Sequence, residues 1–147
     1  MPATEITIET LTEPAEEDAA ALAGLIPDLS SAPPPDLAEL RDLVSQNATT
    51  VLVARLDGVI IGTLSLVMFA VPSGRRAWIE DVVVDRRHRG QGIATRLVDT
   101  ALGIATSAGC RTVDLTSRPS RADANRLYEK RGFARRETNV YRYSLDT

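Results

Sequence analysis

A β-branched strand that leads into a glycine-rich turn and then a helix is the feature that most constrains this chain. Residues 79–84 are rich in valine and isoleucine, which suit a buried, pleated strand. Basic residues follow at 86–89, then the turn Gly90-Gln91-Gly92, and a helical pattern begins at Ile93. Glycines let backbone N–H groups approach an anion closely, and a helix N-terminus adds unpaired donors. The stretch therefore predicts a phosphate-binding cradle.

Two other glycine-rich phosphate loops do not match this stretch. A nucleoside-triphosphate loop requires Gly-Lys-Ser/Thr at its end, whereas Gly92 is followed by Ile93 and Ala94. The dinucleotide fingerprint G-x-G-x-x-G requires a third glycine, and Thr95 stands at that position. The sequence thus excludes both of these nucleotide-binding loops.

The length of 147 residues is that of one domain with one sizeable core. No apolar run reaches the roughly 18 residues that a membrane span needs, and the N-terminus has no basic or apolar region typical of a signal peptide. The chain has a single cysteine, Cys110, which excludes an internal disulfide. The sequence also lacks the basic stripe with interleaved aromatic residues that is typical of nucleic-acid binding. We therefore expect a cytoplasmic protein without membrane or nucleic-acid partners.

Apolar periodicity predicts a mixed α/β fold along the whole chain. Two β-branched runs joined by Asp57-Gly58 predict a hairpin, because both central positions of the favoured turn require positive φ. We expect a single α/β domain with a central mixed sheet of about seven strands flanked by four helices. The predicted strands are 5–11, 50–56, 59–69, 79–84, 111–115, 133–137 and 139–145, and the predicted helices are 15–26, 36–46, 92–107 and 121–130.

Two motifs, in order along the chain, resemble the signature of a known family. The first is Arg87-x-x-Gly90-x-Gly92, directly after a strand that carries acids, and the second is N-x-x-Y-x-x-x-G-F from Asn125 to Phe133. Together they resemble the GNAT family of acetyl-CoA-dependent N-acetyltransferases. The strand at 79–85 looks like that of glucosamine-phosphate N-acetyltransferases, and the C-terminal part is similar to small bacterial members of unassigned substrate.

The resemblance implies a site for acetyl-CoA on both motifs. Backbone N–H groups of the glycine-rich turn and the first helical turn would hold the pyrophosphate. Arg87 and Arg89 would add charge-assisted hydrogen bonds, with solvated arginines as the alternative. No metal is expected, because His88 has no potential ligand partners. The implied cofactor-binding residues are Val82, Val83 and Val84 for pantetheine, Arg87, Arg89, Gly90, Gln91, Gly92, Ile93, Ala94 and Thr95 for the pyrophosphate, and Asn125, Tyr128 and Arg131 in the second motif.

Two adjacent acids in an apolar strand, Glu80 and Asp81, are the first candidates for catalysis. A regular strand would place them on opposite faces, and burial would make either carboxylate a stronger proton acceptor. Members of the aminosugar group carry both acids at the acceptor site, so we predict that Glu80 acts on the amine directly or through water. The structural alternative is an ion pair with Arg76, Arg111 or Arg118.

Tyr128 is the candidate for the acid that protonates the leaving thiolate. A phenol has a pKa of about 10 and stays protonated at neutral pH. Asn125 lies one helical turn earlier on the same face and would contact the pantetheine. A tyrosine that only packs in the core is the alternative.

These residues predict an enzyme that moves an acetyl group to a primary amine of a small molecule by direct attack on the thioester. A protein N-terminal or lysine acetyltransferase is an open alternative, because it would share the cofactor motifs. A non-catalytic acyl-CoA-binding module is a second alternative, although it would need only the cradle and not Glu80, Asp81 or Tyr128. A homodimer is left open as the assembly.

Overall fold

A computed structural model describes residues 5–146 of the chain. The backbone forms two compact units, one ending at Thr116 and the other beginning at Ser117. No helix in the described range is long and apolar enough to cross a bilayer. The strands are β1 (Ile6–Thr10), β2 (Thr49–Leu56), β3 (Val59–Val71), β4 (Gly74–Val84) and β5 (Thr112–Asp114), and the helices are α1 (Glu16–Leu25), α2 (Leu37–Val44), α3 (Ile93–Ser107) and α4 (Ala122–Lys130), with short 3-10 turns at Ile26–Asp28 and Arg86–His88.

One sheet of five strands forms in the order β1-β2-β3-β4-β5 within residues 5–146. Neighbours from β1 to β4 are antiparallel, whereas β4 and β5 are parallel and are joined through α3. The hairpin prediction is confirmed, because φ is 52° at Asp57 and 79° at Gly58. The mixed α/β class and the four predicted helices are confirmed in this range as well.

Helices cover both faces of the sheet. On one face, Leu22 and Leu25 of α1 and Leu40 of α2 belong to a buried cluster with Val53 of β2. On the opposite face, α3 approaches the sheet at Gly62, where an added Cβ would lie 3.4 Å from Ile93 Cγ2. The absence of a side chain at this position lets the start of α3 pack directly on β3.

An ion-pair network centred on Arg55 joins β1, β2 and α1. The Arg55 guanidinium donates to both carboxylate oxygens of Asp18, at 2.7 and 3.3 Å, and also pairs with Glu9. Asp18 is buried, and one of its oxygens accepts from the Ala15 amide at the start of α1. The hydrogen bond from Arg55 is the main reason that the pKa of Asp18 lies below its usual value. The network therefore holds α1 against the sheet.

The two C-terminal strands predicted at 133–137 and 139–145 are wrong. The segment after Phe133 forms no strand, and its backbone makes no hydrogen bond to other backbone groups of the described range. An alternating pattern becomes a strand only where a neighbouring strand supplies main-chain partners and burial for one face. Here Tyr141 and Tyr143 are 87% and 88% exposed. The sheet consequently has five strands among these residues rather than about seven.

Replacing Asp18 with Asn should destabilise the fold by about 2 kcal/mol at neutral pH, because the Arg55 guanidinium would lose its charged partner. The pKa of Asp18 is depressed in the folded state. Its stabilisation is therefore complete above the unfolded value of about 3.9 and is lost as the pH falls below it. Urea denaturation should show a difference between Asp18→Asn and the unmodified chain that shrinks as the pH is lowered towards about 3.

The matched control is Asp42→Asn, the same change at an exposed position of α2. This variant should keep the stability of the unmodified chain at both pH values. If Asp18→Asn were equally stable at neutral pH, the network would not hold α1.

Candidate active site

The glycine-rich turn links the end of β4 to the start of α3. The Asp85 amide donates to a carbonyl of β3 at 2.7 Å, and the Asp85 carbonyl accepts from the His88 amide at 2.9 Å. Gly90 and Gly92 have φ values of 80° and 76°. These left-handed conformations favour glycine, and they turn the chain so that α3 begins at Ile93. The predicted strand, turn and helix are confirmed.

A row of unpaired backbone donors lies along this turn and the first turn of α3. Within the described residues, the amide N–H groups of residues 90–95 have no acceptor, and the next amide, that of Arg96, donates to the Gly92 carbonyl at 3.1 Å. A Cβ built on Gly90 or Gly92 would meet no atom within 4 Å. The α3 dipole adds partial positive charge at the same end. The arrangement fits an anion that approaches the backbone.

Arg87 is held by Asp85 and remains exposed to solvent. Its Nε and Nη2 donate to the two carboxylate oxygens at 3.2 and 3.0 Å, and its amide donates to Oδ1 at 2.9 Å. These contacts, the side-chain hydrogen bonds foremost, lower the pKa of the Asp85 carboxyl to about 2. The Arg87 side chain is 83% exposed. The guanidinium is therefore positioned by a carboxylate and still accessible to a bound anion.

Asp28, at the end of the 3-10 turn after α1, contacts two arginines of the glycine-rich loop. Its carboxylate accepts from Arg86 Nη2 at 3.0 Å and from Arg89 Nη2 at 3.5 Å. Arg89 Nε also donates to the Val84 carbonyl at 3.1 Å. Sequence reasoning missed Asp28, because its contact with Arg89 joins residues 61 positions apart and no local pattern records it.

His88 lies in the 3-10 turn and is half-buried. Its backbone amide is bonded to the Asp85 carbonyl. Across residues 5–146, no group of three or more His, Cys, Asp or Glu side chains is arranged to hold a metal ion.

A β-bulge in β4 changes the placement that was predicted for the two acids. Asp81 and Val82 both lie opposite Leu64 of β3, and Asp81 has a φ of 55°. Regular alternation therefore ends at Glu80, so the prediction that the acids lie on opposite faces of a regular strand is wrong. Both acids are exposed, so neither has the buried environment that the sequence predicted.

Glu80 is held by Trp78, its neighbour two residues earlier on the same strand. The indole Nε1 donates to Glu80 Oε1 at 2.6 Å. In residues 5–146, neither Glu80 nor Asp81 forms an ion pair, because Arg76 and Arg111 hydrogen-bond instead to the turn before β4. Sequence reasoning missed Trp78, although the i, i+2 spacing that places it beside Glu80 was visible.

β4 and β5 separate after a short parallel contact. Their pairing ends at Trp78 and Asp114. Beyond this point the β5 side of β4 has no strand partner among the described residues. Backbone groups of residues 79–84 on that side therefore have no strand partner within residues 5–146. The predicted pantetheine residues 82–84 lie in this stretch.

The unit that begins at Ser117 carries the second motif on α4. Tyr128 is 8% exposed, and its ring meets Phe133 edge-on with ring centroids 5.8 Å apart. Burial raises the pKa of the Tyr128 hydroxyl, and the positive charge of Arg121 offsets part of this effect. The phenol is therefore protonated at neutral pH, as a proton donor must be.

The other predicted residues of the second motif lie at the two ends of α4. Asn125 Nδ2 donates to the Arg118 carbonyl at 3.0 Å, so this amide nitrogen is engaged with the loop before the helix. Arg131 directly follows Lys130, the last residue of α4. Ser117 Oγ, in the same unit, is buried without a hydrogen-bond partner in the described range.

The acetyltransferase (GNAT) family model matches residues 13–133. This chain belongs to that family. The match covers the glycine-rich turn, the bulged strand and α4, and it confirms the resemblance that the two motifs carry.

Relatives within the GNAT family act on different acceptors, as their names state. The chain is 32% identical to glucosamine 6-phosphate N-acetyltransferase of Trypanosoma brucei brucei over 133 residues, which is 85% of this chain and 88% of that protein. It is 32% identical to N-alpha-acetyltransferase 30 of Schizosaccharomyces pombe over 71 residues, which is 48% of this chain. The chain spans about half the length of that second relative, 47%.

A solved Trypanosoma brucei acetyltransferase has the same fold. It superposes with a TM-score of 0.80 at 30% identity, and the match covers 96% of this chain and 100% of that one. The fold and the order of the site elements are therefore those of the GNAT family.

Replacing Gly92 with Ala should weaken acetyl-CoA binding about tenfold or more, because a Cβ would occupy the open space over the unpaired N–H groups. Gly109→Ala is the matched control. Gly92 and Gly109 have φ values of 76° and 77°, both lack neighbours within 4 Å, and Gly109 lies at the other end of α3. Both variants should lose similar stability, on the order of 1 kcal/mol. Calorimetry that finds equal affinity in the two variants would rule out the loop as the binding site.

Proposed function

We propose that this GNAT chain is an N-acetyltransferase that moves the acetyl group of acetyl-CoA to a primary amine of a small molecule. The observation that carries the proposal is the row of unpaired N–H groups at residues 90–95, which fits the pyrophosphate of this co-substrate. Bound acetyl-CoA would supply the thioester that the amine attacks directly. The chain's own residues hold the reactants and move the protons.

The pyrophosphate is held chiefly by the backbone in this proposal. Arg87 and Arg89 each have an acidic partner, Asp85 and Asp28, so a phosphate gains less from them than from unpaired amides. The exposed Arg87 adds positive charge near the anion, and the fixed amides set its position. The proposed pyrophosphate residues are Arg87, Arg89, Gly90, Gln91, Gly92, Ile93, Ala94 and Thr95.

The open edge of β4 holds the pantetheine arm in this proposal. Residues 82–84 offer backbone groups on the side where β5 has separated from β4. A pantetheine carries amides, so it pairs with such an edge as an extra strand does. This contact sets how far the thioester extends along the strand, towards Glu80 and Asp81.

Glu80 and Asp81 serve the acceptor amine. Trp78 occupies Glu80 Oε1, which leaves Oε2 to accept a proton from the amine through water. Asp81 is exposed, and its negative charge attracts the acceptor while the amine of the acceptor is still protonated and cationic. The proposed division of roles is based on the hydrogen bond from Trp78, which Glu80 accepts and, among residues 5–146, Asp81 does not.

Tyr128 donates the proton that the leaving thiolate requires. Its raised pKa keeps the hydroxyl protonated and able to donate. Asn125 and Arg131 are proposed to contact the cofactor from the same motif. After transfer, Glu80 releases the proton it accepted from the amine to solvent, and solvent reprotonates the Tyr128 phenolate.

A protein N-terminal acetyltransferase is the second candidate function. The specific observation in its favour is the match to N-alpha-acetyltransferases, which covers about half of the chain. The chemistry of the amine would be unchanged, and only the recognition of the acceptor would differ. A lysine acetyltransferase and a non-catalytic acyl-CoA-binding module have no observation of this kind behind them.

Replacing Tyr128 with Phe should lower kcat by about 10²–10⁴-fold, because the ring and its contact with Phe133 remain but the proton donor is lost. Acetyl-CoA affinity and the melting temperature should change little. Tyr143→Phe removes the same hydroxyl from an 88% exposed ring and is the control. Wild-type turnover in Tyr128→Phe would remove this residue from the mechanism.

The two candidate functions differ in the acceptor that releases free thiol from acetyl-CoA. We expect release with small primary amines, aminosugars among them, and little release with peptides that present a free N-terminus. Each panel is run with the unmodified chain and with Gly92→Ala. Faster release with peptides would favour the second candidate, and no release with either, while acetyl-CoA still binds, would favour the binding module.

A further inference from the structure

Trp78 and Glu80 lie on the face of the sheet that α1 and α2 partly cover. Glu80 is opposite Ser65 of β3, and Ser65 is opposite Val51 of β2, which belongs to the buried cluster under these helices. Cross-strand partners project to the same face, and so do residues two positions apart on one strand. The hydrogen bond from the indole Nε1 to Glu80 Oε1 is therefore formed beside the helix-covered core.

Burial along this face ends at Glu80. On one side of it, Thr63 and its partner Val83 are 3% and 6% exposed, so the space is filled. On the other side, Val67 and the Trp78 opposite it are only half-buried. A molecule whose amine reaches Glu80 on this face therefore finds open apolar surface only over Trp78 and Val67.

The hydrogen bond fixes the indole as well as the carboxylate. At 2.6 Å, it joins a neutral donor to a charged acceptor, so it is stronger than a hydrogen bond between neutral groups. An indole that is held by its N–H edge cannot turn freely, so the exposed part of its ring is a fixed apolar surface. Trp78 thus combines a polar contact that holds Glu80 with a flat apolar surface beside that carboxylate.

We propose that Trp78 determines which acceptor the site takes: its N–H positions Glu80, and its ring, with Val67, packs against the body of the acceptor. This inference rests on the proposed function, because it assigns the acceptor to the surface beside Glu80. The preferred substrate class is then a primary amine carried on a ring with an apolar face, such as a cyclohexane ring or the C–H face of an aminosugar. A short amine such as ethylamine would reach Glu80 but gain no contact with the indole.

Cyclohexylmethylamine and ethylamine separate ring contact from amine chemistry, since both are primary alkylamines of similar basicity. In the unmodified chain, KM should be at least about tenfold lower for cyclohexylmethylamine, because its ring buries apolar surface on Trp78 and Val67. Val67→Ser should reduce this ratio. Val59→Ser, the same change at an exposed position at the start of β3, is the matched control and should keep the ratio. Equal KM values for the two amines in the unmodified chain would overturn the proposal.

Two substitutions separate the roles of the indole. Trp78→Phe keeps an aromatic ring but removes the donor, so kcat should fall about tenfold with both amines while the ratio of their KM values is kept. Trp78→Gln keeps an N–H donor but removes the ring, so this ratio should approach one. In a Glu80→Gln background, Trp78→Phe should lower kcat no further, because the positioned carboxylate is gone. A full additional loss there would show that Trp78 does not act through Glu80.

Fluorescence tests the acceptor surface without turnover, because Trp78 is the single tryptophan of the chain. Cyclohexylmethylamine should change the emission at concentrations about tenfold lower than ethylamine does, for the same reason as its lower KM. That result without thiol release from acetyl-CoA would contradict the proposed function and still support the acceptor surface. An emission that neither amine changes would overturn this inference, whether or not the chain acetylates them.

Discussion

The β-bulge at Asp81 is the constraint on which the arrangement of the first unit depends. An uninterrupted strand would place Asp81 on the same face as Ala77 and Ile79, which are buried. A carboxylate in that position would be costly, because it would lose its hydration without gaining a partner. The extra residue instead leaves Asp81 exposed and directs Val83 into the cluster beneath α1 and α2. The strand can therefore carry two acids and still bury side chains on both faces of the sheet, under α1 and α2 on one face and under α3 on the other.

The glycine-rich turn offers an anion its backbone N–H groups more than its side-chain charge. Asp85 and Asp28 already pair with the three arginines around it, and the pKa of Asp85, lowered to about 2, keeps this carboxylate charged across the physiological range. The unpaired amides have no such competitor. The fixed directions of the N–H groups in such a loop favour a phosphate whose oxygens match them. Its arginines add an electrostatic attraction that salt screens.

In the proposed function, acceptor chemistry and cofactor binding share the strand β4. Its bulge exposes the two acids, its separation from β5 opens backbone groups, and its C-terminal end leads into the glycine-rich turn. A reaction between a bound thioester and an amine requires the two to be held in one register. In that proposal, a single strand that contacts both reactants would hold them in this register without a conformational change.

The sequence by itself determined the parts of this protein that depend on local pattern. Helical periodicity located α1 to α4, the Asp57-Gly58 pair located the hairpin, and the glycines before Ile93 located the glycine-rich turn, because φ preferences and side-chain period act over a few residues. Only the tertiary structure decided the bulge at Asp81 and the contact of Asp28 with Arg86 and Arg89. It also decided that residues 133–145 form no strand: their side chains alternate with the period of a strand, but no neighbouring strand pairs with them within the described residues. Strand pairing and ion pairing join distant positions, so no local pattern can specify them.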